Sequence, residues 1–451
     1  MDCVDNSHMQ TALNRRPILM VGAAALIFAA VIGYRFVLPA LRPAQDLAAN
    51  VDGAAVIDSL APATAVDAIV RTQSQIKANP NDPNAYATLG LLMLQRVRET
   101  ADPQLYIQAG QAFNEALKRD PQQVNALVGM GSLALSRHDF TEAISWGEKA
   151  RSINAYRAQI YGVIGDAQVE LGRYPDAVKT IQKMVDTRPD IASYSRVSYV
   201  RELHGDIPGA IDAMQRANRA GAPGAEATLW SQTYVGHLYF SQGDLKSAEH
   251  TYADVLAQQP AYPYALGGMA RVRAAQGRTD EAISLYQSLL DRLPLPQFAI
   301  ELGELYQSLG KTDKAKAQFD LVRAIQQLNA GAQMNTDMEM ALFEADHGDP
   351  AKSLTLARTA YIRRPSIHGA DALAWALYRT GQFDEARKYA QESIKLGTKD
   401  ATLRFHAGMI AAKFDMSEAE KQLQAALDIN PYFSMLNTRV ARETLTQLSG
   451  K

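Results

Sequence analysis

The chain of 451 residues holds one cysteine, Cys3, near its N-terminus. A single thiol excludes an intramolecular disulfide and any zinc site built on cysteines. Excess charge of either sign is also missing, with 46 Lys and Arg against 48 Asp and Glu. A nucleic-acid-binding domain carries a basic surplus, so no nucleic-acid partner is expected. Neither a Gly-x-Ser-x-Gly elbow nor a phosphate loop ending in Gly-Lys-Ser/Thr occurs in the sequence. Eight histidines are scattered, and none forms a His-Glu-x-x-His helix motif. No metal and no cofactor are therefore expected. Gly129-Met130-Gly131 matches part of a dinucleotide fingerprint, but no strand pattern precedes it. His204 and His347 each open a His-Gly-Asp triplet, which reads as a solvated turn.

Long hydrophobic runs are scarce. The one substantial run, ILMVGAAALIFAAVIGY at 18–34, follows Arg15, Arg16 and Pro17 and precedes Arg35. Extended to residue 38 it is long enough to cross a bilayer if Arg35 snorkels. This predicts a tail at 1–16, one N-terminal transmembrane helix at 17–38 and a linker at 39–63. A cleaved secretory signal is the alternative, although no small-x-small site follows the run before Arg35. Flanking arginines are balanced, two on each side. The tight Arg15-Arg16 pair favours a cytoplasmic tail. The expectation is a single-pass bacterial inner-membrane protein with its large domain outside the cytoplasm. A lone capping helix is predicted over 64–79.

A period is what the sequence has in abundance. Ala143 and Ala177 stand 34 residues apart, as do Ala248 and Ala282, Gly131 and Gly165, and Pro260 and Pro294. A fixed interval of this size marks a solenoid of helix-turn-helix units. The units can be followed one by one. The first carries Tyr86, Leu89, Gly90, Ala109, Phe113, Ala116 and Pro121, with about seven extra residues around 96–103. The third carries Tyr161, Gly165, Leu171, Ala177 and Pro189, and the fifth Gly236, Tyr239, Ala248, Tyr252 and Pro260. The fourth is weak, because Val197-Ser198 stands where Leu-Gly is expected. The seventh ends irregularly over 323–337. Between the helices recur Gly172-Arg173, Gly205-Asp206, Gly243-Asp244, Gly277-Arg278, Gly310-Lys311, Gly348-Asp349 and Gly381-Gln382. Glycine at that place supplies the left-handed conformation that ends a helix. Proline near the end of a unit stops its second helix.

These residues resemble the tetratricopeptide repeat (TPR) family over about three-quarters of the chain. The resemblance implies an all-α, right-handed superhelical solenoid of about ten repeats over 80–431, followed by a C-terminal capping helix over 432–451. The stretches 371–378 and 430–434 are similar to those of a recurrent bacterial type of TPR protein. In the family the first helix of each unit lines a concave groove. Carried over, its lining positions are Asn125, Gln159, Asp166, Tyr199, Glu202, Trp230, His237, Tyr264, Arg271, Glu304, Trp375, Tyr378 and Phe405. They mix aromatics with both charge signs, which suits a protein or peptide partner. The first unit lacks the Lys/Asn clamp used on acidic chaperone tails; Thr88 and Leu91 stand there. No interval of even about 60 residues is left for a catalytic domain. The chain therefore reads as a membrane-tethered, non-catalytic scaffold. The alternative is a carbohydrate-binding or enzyme-assisting subunit of an envelope polysaccharide or secretion system, with aromatics such as Trp230 and Trp375 stacking on sugar.

Overall fold

A computed structural model describes residues 65–449. Among them lie 22 helices and no strand. The first, α1 (Ala65–Ala78), stands alone. Ten pairs follow, each an A helix and a B helix. They are α2 and α3 (Pro83–Thr100, Gln104–Arg119), α4 and α5 (Val124–Ser136, Phe140–Ile153), α6 and α7 (Ala158–Glu170, Tyr174–Thr187), α8 and α9 (Ile191–Leu203, Ile207–Arg219), α10 and α11 (Glu226–Ser241, Leu245–Gln258), α12 and α13 (Pro263–Ala275, Thr279–Arg292), α14 and α15 (Pro296–Ser308, Thr312–Gly331), α16 and α17 (Asp337–His347, Pro350–Arg363), α18 and α19 (Ile367–Arg379, Phe383–Ser393), and α20 and α21 (Ala401–Ala411, Met416–Ile429). A last unpaired helix, α22 (Asn437–Ser449), closes the described chain.

Local sequence explains the pairing. The repeat alanines Ala143, Ala177, Ala248 and Ala282 are fully buried where helices cross. The bulky B-helix residue lies flat on glycines of two A helices: Tyr252 covers Gly236 and Gly268, and Phe113 covers Gly90 and Gly129. A side chain at any of those glycines would overlap the ring, so the small residue fixes how closely the helices approach. Gly129 is thus a packing residue inside α4. The turns inside pairs four and five combine a left-handed glycine with a capping aspartate. Gly205 and Gly243 have φ of 75° and 73°. Asp206 and Asp244 then accept backbone N–H groups of α9 and α11.

Gly348 corrects the turn rule. Its φ is −147°, not left-handed. Glycine is needed there because the Glu344 carboxylate reaches back over it and accepts the Asp349 N–H at 3.2 Å. The fourth unit is completed by chemistry that its sequence obscured: the buried Ser198 hydroxyl donates to Ala210 O at 2.8 Å. The irregular stretches are longer helices. α2 runs 18 residues and α15 runs 20.

The membrane expectation is corrected. No helix among the described residues is long and apolar enough to cross a membrane, so the described chain gives no ground for a single-pass inner-membrane placement. The segment 17–38 on which that placement rested, like 1–16 and 39–63, lies outside the described residues.

The array coils back on itself. Connections that follow a B helix meet turns inside pairs from almost 200 residues earlier. His138 Nδ1 donates to Asn335 O at 2.6 Å, and Asn335 N donates to Arg137 O at 3.1 Å. The Tyr174 hydroxyl accepts Ile367 N–H at 2.7 Å. Arg364 Nε donates to Glu170 at 2.5 Å, and its Nη1 to Glu339 at 3.1 Å. Asn430 Nδ2 donates to Phe240 O at 3.0 Å. Gly172 faces Pro365 O, and Gly205 faces Gly397 O. The turn after α2 shares a small cavity with the connection before α14. The resulting seam joins pairs one to five to connections following pairs six to ten. It has an apolar part too, since Ile367, Leu403 and Met334 join the core cluster of the first four pairs.

Candidate functional site

Coiling turns the A helices inward. α8 and α18 each bury eleven of their thirteen residues, whereas the B helix α11 buries three of fourteen. A helix covered on nearly all sides has no polar face to show solvent.

The thirteen groove candidates follow their helices. Asp166, Tyr199, Glu202, Trp230, Arg271, Trp375 and Phe405 are buried, and Asn125, Gln159, His237, Tyr264, Glu304 and Tyr378 are half-buried. Their partners are other side chains. Arg196, fully buried, donates to both Asp166 oxygens at 2.8 Å. Burial pushes the Asp166 carboxyl up to about 7 against the pull of that guanidinium. Glu202 accepts from Tyr234 Oη at 2.6 Å, and burial raises its carboxyl to about 7. Asp400 is raised well above its usual range by burial and then by the neighbouring Asp371. Asn125 accepts from Arg157 at 2.6 Å. Trp375 donates to Asp346 at 2.8 Å and stacks on Tyr378 and His406.

His237 Nδ1 lies 2.7 Å from Tyr252 Oη and 3.0 Å from Arg271 Nη2. Arginine can only donate, so Nδ1 accepts and the neutral ring carries its proton on Nε2. Burial, then Arg271, holds its pKa well below the ordinary value. Arg271 Nε approaches Glu301 at 3.7 Å, and Glu304 meets His347 Nε2 at 3.1 Å. His347 is no solvated turn residue: its side chain is buried and stacks on Phe319 at 4.3 Å.

One stretch of the inner face stays open. A cleft of about 410 Å³ runs between α12 and α14 on one side and the connection to α22 on the other. It brings together two candidates, Arg271 and Glu304, with Glu301, Asp346, Arg439 and Arg442. Buried Arg271 Nε and Glu301 Oε2 have no hydrogen-bond partner. Three guanidiniums and three carboxylates give this cleft donors and acceptors of both signs, suited to a peptide backbone and its polar side chains.

Sequence reasoning missed Glu170, Arg364, Glu339 and His138, which hold the seam. No local pattern marks them, since their partners lie about 190 residues away. Arg363-Arg364 reads as an ordinary surface pair; in the fold Arg363 is exposed and Arg364 is buried.

Residues 106–158, 239–300 and 372–432 match the tetratricopeptide repeat. The chain is 30% identical over 197 residues to the cellulose synthase 1 operon protein C of Komagataeibacter xylinus, covering 41% of this chain and 13% of that protein. It is 26% identical over 398 residues to the cellulose synthase operon protein C of Xanthomonas axonopodis pv. citri, covering 79% of this chain and 26% of that protein. The chain therefore spans only about a quarter or less of the length of these relatives. Among solved structures, a tetratricopeptide repeat protein from Parabacteroides merdae aligns at 20% identity and a TM-score of 0.34, covering 57% of this chain and 98% of that one. The period and the ten helix pairs agree with the matched segments, so the chain carries tetratricopeptide repeats.

Proposed function

We propose that this chain is a non-catalytic scaffold that holds a partner protein within a bacterial polysaccharide-producing system. The observation that carries the reading is the uninterrupted array of ten helix pairs, which gives the described chain the build of an interaction surface. The similarity to cellulose synthase operon protein C supports the setting. The partner segment enters the cleft beside Arg271 and Glu304, the part of the inner face that coiling leaves open.

A sugar-stacking role through Trp230 and Trp375 is the weaker reading, because both indoles are buried and neither offers a face to a ligand. The test is affinity capture from the source bacterium with the wild type and with Arg271→Ala/Glu304→Ala. A component of polysaccharide synthesis or export should be enriched by the wild type and lost from the variant by about tenfold or more. Equal capture by both proteins rejects the cleft. Capture of no such component rejects the setting.

A further inference from the structure

Where the seam meets the first pair it closes over a cavity of about 80 Å³. The wall comes from both halves of the array. Arg98 and Ala101 lie at the C-terminal end of α2, and Gln297 lies in the first turn of α14. Ile325, Asn329 and Met334 come from the last turns of α15 and the segment after it. None of these residues lines the cleft beside Arg271 and Glu304.

The polar groups on this wall are not spent on the fold. Among the described residues, the Tyr264 hydroxyl and the side-chain amides of Gln297 and Asn329, all on the wall, have no hydrogen-bond partner. Arg98 brings a positive charge, and no carboxylate among the described residues lines the cavity. Glu226 acts on Arg98 from outside the lining, and burial raises its carboxyl above the ordinary range, toward the neutral form. Val97, Ile325 and Met334 supply an apolar surface. The backbone is strained at the same place. Ala101 has φ of 54°, and Gln333, beside Met334, has φ of 64°. They are two of the three non-glycine residues with a left-handed backbone among the described residues. Such conformations persist only where the surroundings impose them, and they gather at ligand sites. An apolar cavity with a few convergent polar groups is the usual build of a small-molecule site.

We propose that this cavity binds a small aliphatic carboxylate. The Arg98 guanidinium pairs with the carboxylate, and the Tyr264 hydroxyl and the two amides donate to its remaining lone pairs. The hydrocarbon part rests on Val97, Ile325 and Met334. The volume limits the ligand to a few carbon atoms. Because the first and seventh pairs both hold it, the bound anion ties the two halves of the array together and is held only by the closed coil. The site is independent of the scaffold reading.

The test is isothermal titration calorimetry of the full chain with sodium propionate. Propionamide serves as the uncharged isostere and sodium chloride as the ionic-strength control. Propionate should bind at one site per chain, and propionamide about tenfold more weakly or worse. Arg98→Gln should weaken propionate by about tenfold or more. Asn329→Phe, which fills the cavity from the half-buried end of α15, should abolish binding. Unaltered far-UV circular dichroism checks that each variant folds; if Arg98→Gln does not, Asn329→Phe and propionamide carry the test. No binding of propionate overturns the proposal. So do equal affinity for propionamide, the same heat from sodium chloride, and wild-type affinity in either folded variant.

Discussion

Pairs one to five and pairs six to ten follow one plan, but their inner turns meet different surroundings. Gly205 and Gly277 both have φ of 75°. Gly205 lies against Gly397 O, at 2.6 Å from where a side chain would begin, while Gly277 faces open space. An ordinary solenoid is held by contacts between neighbouring repeats alone. Here the first half also rests on the second, so the halves are coupled across almost 200 residues. Opening the seam would separate two layers whose individual repeats stay folded, and the inner face would open with it.

The largest effect is expected at the seam's ion pair. Arg364→Ala leaves Glu170 and Glu339 in a buried site without their cation. Loss of one partner of a buried pair costs about 3–5 kcal/mol. Urea unfolding followed by circular dichroism should show an early transition absent from the wild type. One unshifted transition would mean that the halves are not coupled through this contact.

Next comes pH. Burial raises the Glu202 carboxyl from 4.5 to about 7, so the fold favours its neutral form. The stability this confers is complete below the ordinary carboxyl range and is lost as pH rises through about 7, which is on the order of 3 kcal/mol for the 2.5-unit rise. Asp400 shifts in the same direction. Between about pH 5 and pH 8 the Glu202→Gln variant should therefore lose less thermal stability than the wild type. An identical pH profile in the variant would remove Glu202 from the account.

The two glycines sharpen the comparison directly. Gly205→Ala and Gly277→Ala share the cost of a left-handed backbone, about 1 kcal/mol. Gly205→Ala should cost about 1–2 kcal/mol more, since its new methyl group meets the seam. Equal destabilisation in chemical denaturation would argue that the seam gives way freely. The smallest effect is local: Ser198→Ala removes one buried hydrogen bond and should cost about 1 kcal/mol.

The repeats were legible because each constraint is short in sequence. Phe113 and Tyr252 each need glycine on two neighbouring A helices, and six of the inner turns carry a left-handed glycine. These patterns recur at 34 residues and mark the array without structural help. The failures share one cause. A groove inferred from single repeats assumes an open array, and nothing local tells how tightly successive pairs coil. That is why Trp230, Trp375 and Phe405 are buried, and why Arg364 passes as half of an unremarkable arginine pair. Arg271 and Glu304 reach the cleft because they lie beyond the last stretch that the seam covers. Ser198 disguised the fourth unit by substituting a hydroxyl contact for the usual close approach at glycine.

The spacing of the coil makes the protein a counter. Duplicating or deleting one complete helix pair between Glu170 and Arg364 would preserve every neighbouring interface. It would nevertheless carry Arg364 past its carboxylate and set each later connection against the wrong turn. Loops within this interval can drift in length, while the number of units cannot change without dismantling the closure.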